Sequence, residues 1–253
     1  MSPTPPSRLP VLALDTATEQ IAVGLHTGVG QHTSVCAGAS AASARLLPEL
    51  QGLLGQAGLT WTDVQAIAFG QGPGAFTGLR TACAVAQGLA WGLGCRLYPI
   101  DSLMVVAEDA RLQLQPEATE LDVAVLMDAR MDEIYAASYR WRAGAWQVLL
   151  PPALHSLAAV QAGWADWGLP VVAGSALGAF GDRLALPPTS QRCAQELNRA
   201  AALLRLAVAA VSQGDGVHPA EALPLYLRDK VAQTTAEREQ IKSRAAAAAA
   251  LLT

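Results

Sequence analysis

The chain has 253 residues and a net charge of −4 at pH 7, with 52% hydrophobic and 15% charged residues. This length suffices for one large domain or two smaller ones, and the missing runs of Lys and Arg argue against strong unaided binding to RNA or DNA. The sparse surface charge is consistent with an apolar face that a partner covers. No uninterrupted apolar stretch predicts a signal peptide or a membrane span, so we expect a cytoplasmic protein without membrane contact. The four cysteines form no CxxC pair and are expected to be reduced, mostly buried thiols: Cys36, Cys83, Cys95 and Cys193.

The first half of the chain predicts a mixed α/β unit. Three short strands joined by tight turns are expected at 11–14, 21–26 and 31–37. A helix is expected over 40–57 because its leucines recur on one helical face. Pro48 inside this pattern predicts a kink or a late start. The remaining elements complete a β-β-β-α-β-α-β-α order, with strands at 64–69 and 96–100 and helices at 77–94 and 102–114.

The second half of the chain repeats this order after a boundary at 115–120. Strands are expected at 122–127, 133–141, 146–149 and 171–173, helices at 155–164 and 196–213, and a late strand at 223–228. Leu14-Asp15 is followed by Ile21, and Met127-Asp128 is followed by Ile134 at the same distance. Gly70, Gly74, Ala75 and Phe76 recur as Gly174, Gly178, Ala179 and Phe180. The repeated order of elements, together with these matching residues, indicates that the second half is a duplicate of the first.

Two such units predict an α/β fold of the actin-like ATPase type (the ASKHA or RNase H-like class), with a central mixed sheet in each of two lobes. We expect an N-terminal lobe over 1–114 and a C-terminal lobe over 121–232. Residues 233–253, which end in an alanine-rich run, are expected to be a flexible or helical tail.

The segment Gly70–Arg80 reads Gly-Gln-Gly-Pro-Gly-Ala-Phe-Thr-Gly-Leu-Arg and connects a strand to a helix. Its glycines permit close backbone approach, and a helix start exposes N–H groups that can hold an anion or a partner's backbone. The segment is not a P-loop, because that motif requires GxxxxGK[ST]. A phosphate or nucleotide site at the turn after the first strand and at this glycine segment nevertheless remains an alternative. Its candidate contacts are Asp15, Thr16, Thr18, Gly72, Gly74 and Arg80.

The facing turn of the second lobe is less suited to phosphate. Residues 128–133 contain Arg130, but Asp132 and Glu133 would repel an anion, and the turn has no Ser, Thr or Gly. The four histidines show no metal-binding spacing, so neither a metal site nor a catalytic residue is predicted.

The helix expected at 77–94 is unusually rich in small residues, which allow another backbone to approach closely. This property fits either packing inside the lobe or a helix–helix interface with another chain.

These segments together resemble the bacterial TsaB (YeaZ) family, the catalytically degenerate paralogue of TsaD. The resemblance rests on residues distributed over roughly 9–232: Leu12–Thr18, Leu46–Pro48, Ala68–Leu93, Asp128–Arg130 with Glu133–Tyr135, and Tyr226–Arg228. Many members place His-Ser shortly before Leu-Leu-Pro, whereas this chain has Ala42-Ser43. The polar contact that this histidine would make at the helix start is therefore not expected in this chain.

The resemblance implies a non-catalytic subunit that supports TsaD in forming threonylcarbamoyladenosine beside the tRNA anticodon. It implies a heterodimer with TsaD, a TsaE ATPase that joins the pair, indirect contact with tRNA, and a homodimer in isolation. No cofactor of its own is expected, with ATP and Mg²⁺ only in the complex. The first two helices would form the partner interface, through Leu46, Leu47, Leu50, Leu54, Gly78, Ala82, Ala86 and Ala90. The competing hypothesis is an ATPase or phosphotransferase of the same fold.

Overall fold

A computed structural model describes residues 9–38, 41–163, 171–214 and 216–228. The predicted tail at 233–253 lies outside the described residues. The first lobe contains a five-stranded mixed sheet in the order β3-β2-β1-β4-β5. Its strands are β1 (Val11–Asp15), β2 (Gln20–His26), β3 (Gln31–Ala37), β4 (Ala66–Gly72) and β5 (Arg96–Asp101). Its helices in this part of the chain are α1 (Ala42–Gln56), α2 (Phe76–Leu93) and α3 (Ser102–Leu114).

The second sheet has the same topology as the first. Its order is β10-β9-β6-β7-β8, so β6 pairs antiparallel with β7 and parallel with β9, as β1 pairs with β2 and β4. Its strands are β6 (Glu120–Asp128), β7 (Glu133–Arg142), β8 (Ala145–Ser156), β9 (Val171–Ala173) and β10 (Gln191–Cys193). The helices are α4 (Leu157–Ala162), α5 (Ala176–Phe180) and α6 (Arg199–Gln213). The predicted duplicated actin-like fold is confirmed.

The central strands are apolar because both faces of each sheet are covered. In the first lobe, α1 and α2 pack on one face against residues such as Leu14 and Phe69. The other face is covered by α6, whose Leu203 and Leu204 contact the strands. Although α6 follows the second sheet in the chain, it therefore belongs to the core of the first lobe.

A reciprocal exchange occurs in the second lobe. Helix α3 follows the first sheet, but its Leu103, Val106 and Ala110 pack against β6, β7 and β9. Helices α4 and α5 cover the opposite face of the same sheet. Because α3 and α6 also contact one another, they form a pair of packed helices between the two sheets.

Three local expectations differ from the structure. Helix α1 runs without interruption through Pro48, so the late start is wrong. Strand β8 is much longer than expected, since Pro151 and Pro152 are tolerated on an edge strand that needs no donor there. Residues 223–228 form no strand. Together with Ala222 they cross from one lobe to the other as an irregular segment that we call the strap (residues 222–228).

Candidate functional site

A cleft of about 900 Å³ opens between the two lobes. It is lined by the β1–β2 turn, the glycine turn before α2, the β6–β7 turn, the start of α6 and the strap. In this position the two similar turns of the duplicated fold face each other, as the sequence indicated. The chemistry of the cleft depends on which side chains are free to meet a ligand.

Asp15 is the first candidate phosphate or Mg²⁺ contact, and its carboxylate is fully buried. Arg199 at the start of α6 donates from Nη2 to Asp15 Oδ2 over 2.9 Å, and Ser102 donates to the same oxygen over 3.2 Å. The other carboxylate oxygen accepts the Ala17 N–H. Arg199 also pairs with Glu196. The guanidinium thus already supplies the positive charge that a cation would bring to Asp15.

Thr16, Gly72 and Gly78, close to Asp15, also make their contacts within the protein. The buried Thr16 hydroxyl donates to the carbonyl oxygen of Gly78 over 2.6 Å. The N–H of Gly72 donates to Ser102 Oγ over 3.1 Å, so it faces the protein interior. A Cβ at Gly78 would collide with the Thr16 carbonyl oxygen. The glycine segment therefore serves to seat α2 directly on the end of β1.

Arg80 lies outside the residues that line the cleft. Its guanidinium stacks over the Phe76 ring at 3.8 Å, and its Nε donates to the Tyr226 hydroxyl over 3.1 Å. Of the six candidate phosphate contacts, Thr18 and Gly74 line the cleft. Neither Thr18 nor Gly74 carries a charge, so these two candidates alone would hold a phosphate weakly.

The facing β6–β7 turn is held by charged side chains of the protein itself. Arg130, Met131 and Asp132 all have positive φ angles, near 60°. Arg183 pairs with Asp132 over 2.7 Å, and Arg130 reaches across the cleft to Glu19 over 3.2 Å. Both arginines of this region are thus paired with carboxylates of the protein itself, in contacts that are more than half exposed.

Asp101, which precedes the cleft-lining Ser102, has a structural role. Asp101 caps α3 by accepting the N–H groups of Leu103 and Met104. Burial raises the pKa of Asp101, an effect opposed by the hydrogen bond that Tyr139 donates to it over 2.6 Å. Within the described ranges, no three His, Cys, Asp or Glu side chains are arranged to hold a metal ion.

The second candidate site is the surface of α1 and α2. Six of the eight predicted interface side chains are fully buried against the first sheet: Leu46, Leu50, Leu54, Ala82, Ala86 and Ala90. These six side chains, which the family resemblance implied to face a partner, instead pack in the intramolecular core of the first lobe. Gly78 contacts Thr16, as described above, whereas Leu47 remains 43% exposed.

The opposite side of both helices forms an exposed surface that we call the outer face. It combines an apolar groove with a stripe of small residues on α2. The groove is lined by Leu47, Pro48, Gln51, Trp61 and Leu89. The stripe contains Thr77, Thr81, Ala84, Gly88 and Gly92, and Trp91 beside it is 65% exposed. A Cβ at Gly88 or Gly92 would meet no atom within 4 Å, so packing inside the lobe does not require these glycines.

Comparisons with known proteins agree with this two-lobed structure. A family model described as TsaD, tRNA N6-adenosine threonylcarbamoyltransferase, matches residues 37–191. The tRNA threonylcarbamoyladenosine biosynthesis protein TsaB of Escherichia coli K12 is 34% identical over 232 residues, covering 88% of this chain and 96% of that protein. The chain belongs to the TsaB family. TsaB of Haemophilus influenzae is 40% identical over 128 residues, about half of each chain.

A solved TsaB-type structure supports the same assignment. The structure titled YeaZ from Pseudomonas aeruginosa is 36% identical, with a TM-score of 0.75, and it covers 87% of this chain and 100% of that one. The resemblance inferred from the sequence is therefore confirmed. No described helix of this TsaB-family chain is long and apolar enough to cross a membrane.

Proposed function

We propose that this chain is a non-catalytic subunit in the formation of threonylcarbamoyladenosine on tRNA. Its TsaB relatives are named for that biosynthesis, and one of them matches nearly the whole chain. The enzyme that it supports is a TsaD, the threonylcarbamoyltransferase to whose family model this chain also aligns. The chain acts by binding TsaD, and TsaE joins the pair.

The burial of Asp15 against Arg199 supports the absence of catalysis. An Asp that is to orient a metal-bound nucleotide needs free oxygens toward the cleft, whereas both oxygens of Asp15 are bonded inside the protein. ATP and Mg²⁺ consequently belong to the assembled complex in this proposal. The tRNA is bound by the other subunits, since the charge of this chain is −4.

The outer face of α1 and α2 is the single observation that carries TsaD binding. Small residues let a second helix approach the backbone of α2 closely, while the neighbouring groove can receive an apolar side chain. Exposed apolar surface of this kind costs solubility unless a partner covers it. A second copy of the chain can use the same face when TsaD is absent, which yields a homodimer in isolation.

Binding and modification assays test this proposal. Gly88→Arg places a long charged side chain on the outer face without an internal clash, because a Cβ at this position is free of contacts. Ala209→Arg, at an exposed position of α6, is the matched control. We expect Gly88→Arg to abolish co-elution with the cognate TsaD in size-exclusion chromatography, and Ala209→Arg to leave it intact.

The same variants are then added to TsaD, TsaE and unmodified tRNA, and threonylcarbamoyladenosine is quantified. Wild type and Ala209→Arg should support modification, whereas Gly88→Arg should not. Equal modification with and without this chain would refute the supporting role. Undiminished TsaD binding by Gly88→Arg would refute only the assignment of the outer face.

A further inference from the structure

The strap contacts both lobes, the first through several residues and the second through the side chain of Arg228. At the first lobe, the Leu225 N–H donates to the carbonyl oxygen of Gln71 over 2.7 Å. Gln87 of α2 donates to the carbonyl oxygen of Ala222 over 3.0 Å, and the Tyr226 ring lies 5.2 Å from the Phe76 ring. The strap is thereby fixed along α2 and the glycine turn.

At the second lobe, one side chain makes the connection. Arg228 Nη2 lies 2.6 Å from Glu133 Oε2 and donates to the Ala129 carbonyl oxygen over 2.9 Å. Its Nη1 contacts Met131 Sδ. The Arg228 side chain is 17% exposed and that of Glu133 is 38% exposed, so the guanidinium is largely shielded from water and the carboxylate only partly. These bonds fasten the strap to the β6–β7 turn, whose three consecutive positive φ angles need external support.

We propose that the strap, through the contacts of Arg228 with Glu133 and Ala129, holds the cleft at one width in the absence of any ligand. We call this set of contacts the latch. The Arg130–Glu19 pair also crosses the cleft, but both side chains are more than three-quarters exposed. Exposed pairs contribute little, whereas a shielded guanidinium that binds a carboxylate and a carbonyl oxygen is held firmly. Every group in the latch belongs to this chain, so the latch can be tested in the absence of TsaD.

The width of the cleft can be measured by double electron–electron resonance on the full chain. Nitroxides are attached to p-acetylphenylalanine at Val29 in the first lobe and Gln147 in the second, two exposed positions, which avoids the native cysteines. We expect a single narrow distance distribution for the wild type, unchanged by ATP and Mg²⁺. Arg228→Met should broaden the distribution and shift it to longer distances.

Arg183→Met is the matched control, since it removes an ion pair to the same turn without touching the strap. It should leave the distribution unchanged. If Arg228→Met does not fold, as judged by circular dichroism, Glu133→Gln weakens the same bond with a side chain of equal size. A wild type that opens to several distances, a wild-type distribution that shifts with ATP and Mg²⁺, or a folded latch variant with the wild-type distribution would each overturn the proposal.

Discussion

The guanidinium of Arg199 lies 2.9 Å from the carboxylate of Asp15, and both side chains are buried. Asp15 ends the first strand of the chain, whereas Arg199 begins the last helix. The pair therefore joins two segments that lie 184 residues apart in the sequence, and Arg199 also lines the cleft. It also gives a structural role to a carboxylate whose position in the sequence suggested nucleotide binding.

Loss of this buried pair should cost much stability. Arg199→Met removes the cation and leaves Asp15 and Glu196 unpaired, so the free energy of unfolding should fall by about 3–5 kcal/mol. Arg45→Met, which removes an exposed ion pair within α1, should cost no more than about 0.5 kcal/mol. Urea denaturation followed by circular dichroism measures both. Equal losses for the two variants would contradict the structural importance of the Asp15 pair.

Two glycines on α2 should respond in opposite ways to the same substitution. Gly78→Ala forces α2 away from the Thr16 carbonyl oxygen and should destabilise the protein by about 3 kcal/mol. Gly88→Ala meets open space and should stabilise it by about 0.5–1 kcal/mol, because alanine favours the helix. Thermal melts of the isolated protein report both changes. A stabilising Gly78→Ala would refute the close approach of α2 to β1.

Asp101 should introduce a measurable pH dependence of stability. Burial raises its pKa in the folded protein, so the folded state binds this proton more tightly than the unfolded state does. The resulting stabilisation is complete below the ordinary pKa of about 4 and is lost as the pH rises through the folded-state pKa. Asp101→Asn removes it. The unfolding free energy of the wild type minus that of the variant should therefore decrease from about pH 3 to pH 7. A constant difference would contradict the raised pKa.

Trp91 should be a principal contact of the proposed TsaD interface. Its ring packs edge-on against His218 at 5.4 Å, which limits its motion before a partner binds. Exposed, ordered tryptophans often dominate binding energy, so Trp91→Ala should weaken TsaD binding by about tenfold or more. Isothermal titration calorimetry measures the affinity. The melting temperature should change little, because most of the ring faces solvent.

Sequence patterns predicted the strands and long helices well because their apolar periodicity reports burial directly. The family resemblance pointed to whole helices and not to one side of them, so the interface residues that it implied include Leu46 and Ala86, which pack inside the lobe. The pairing of Asp15 with Arg199 could also not be predicted from the sequence, because it depends on the path of α6 back to the first sheet. Short elements such as β10 carry too few residues for a periodic signal.

The exchange of helices α3 and α6 between the lobes affects how this duplicated chain folds. Each sheet is completed by a helix that the other half of the chain carries, so a fragment ending near residue 115 would leave one face of its sheet open to water. Neither half is then an autonomous folding unit, despite the internal repeat. Co-expressed halves should instead complement each other, as two polypeptides that fold only in each other's presence.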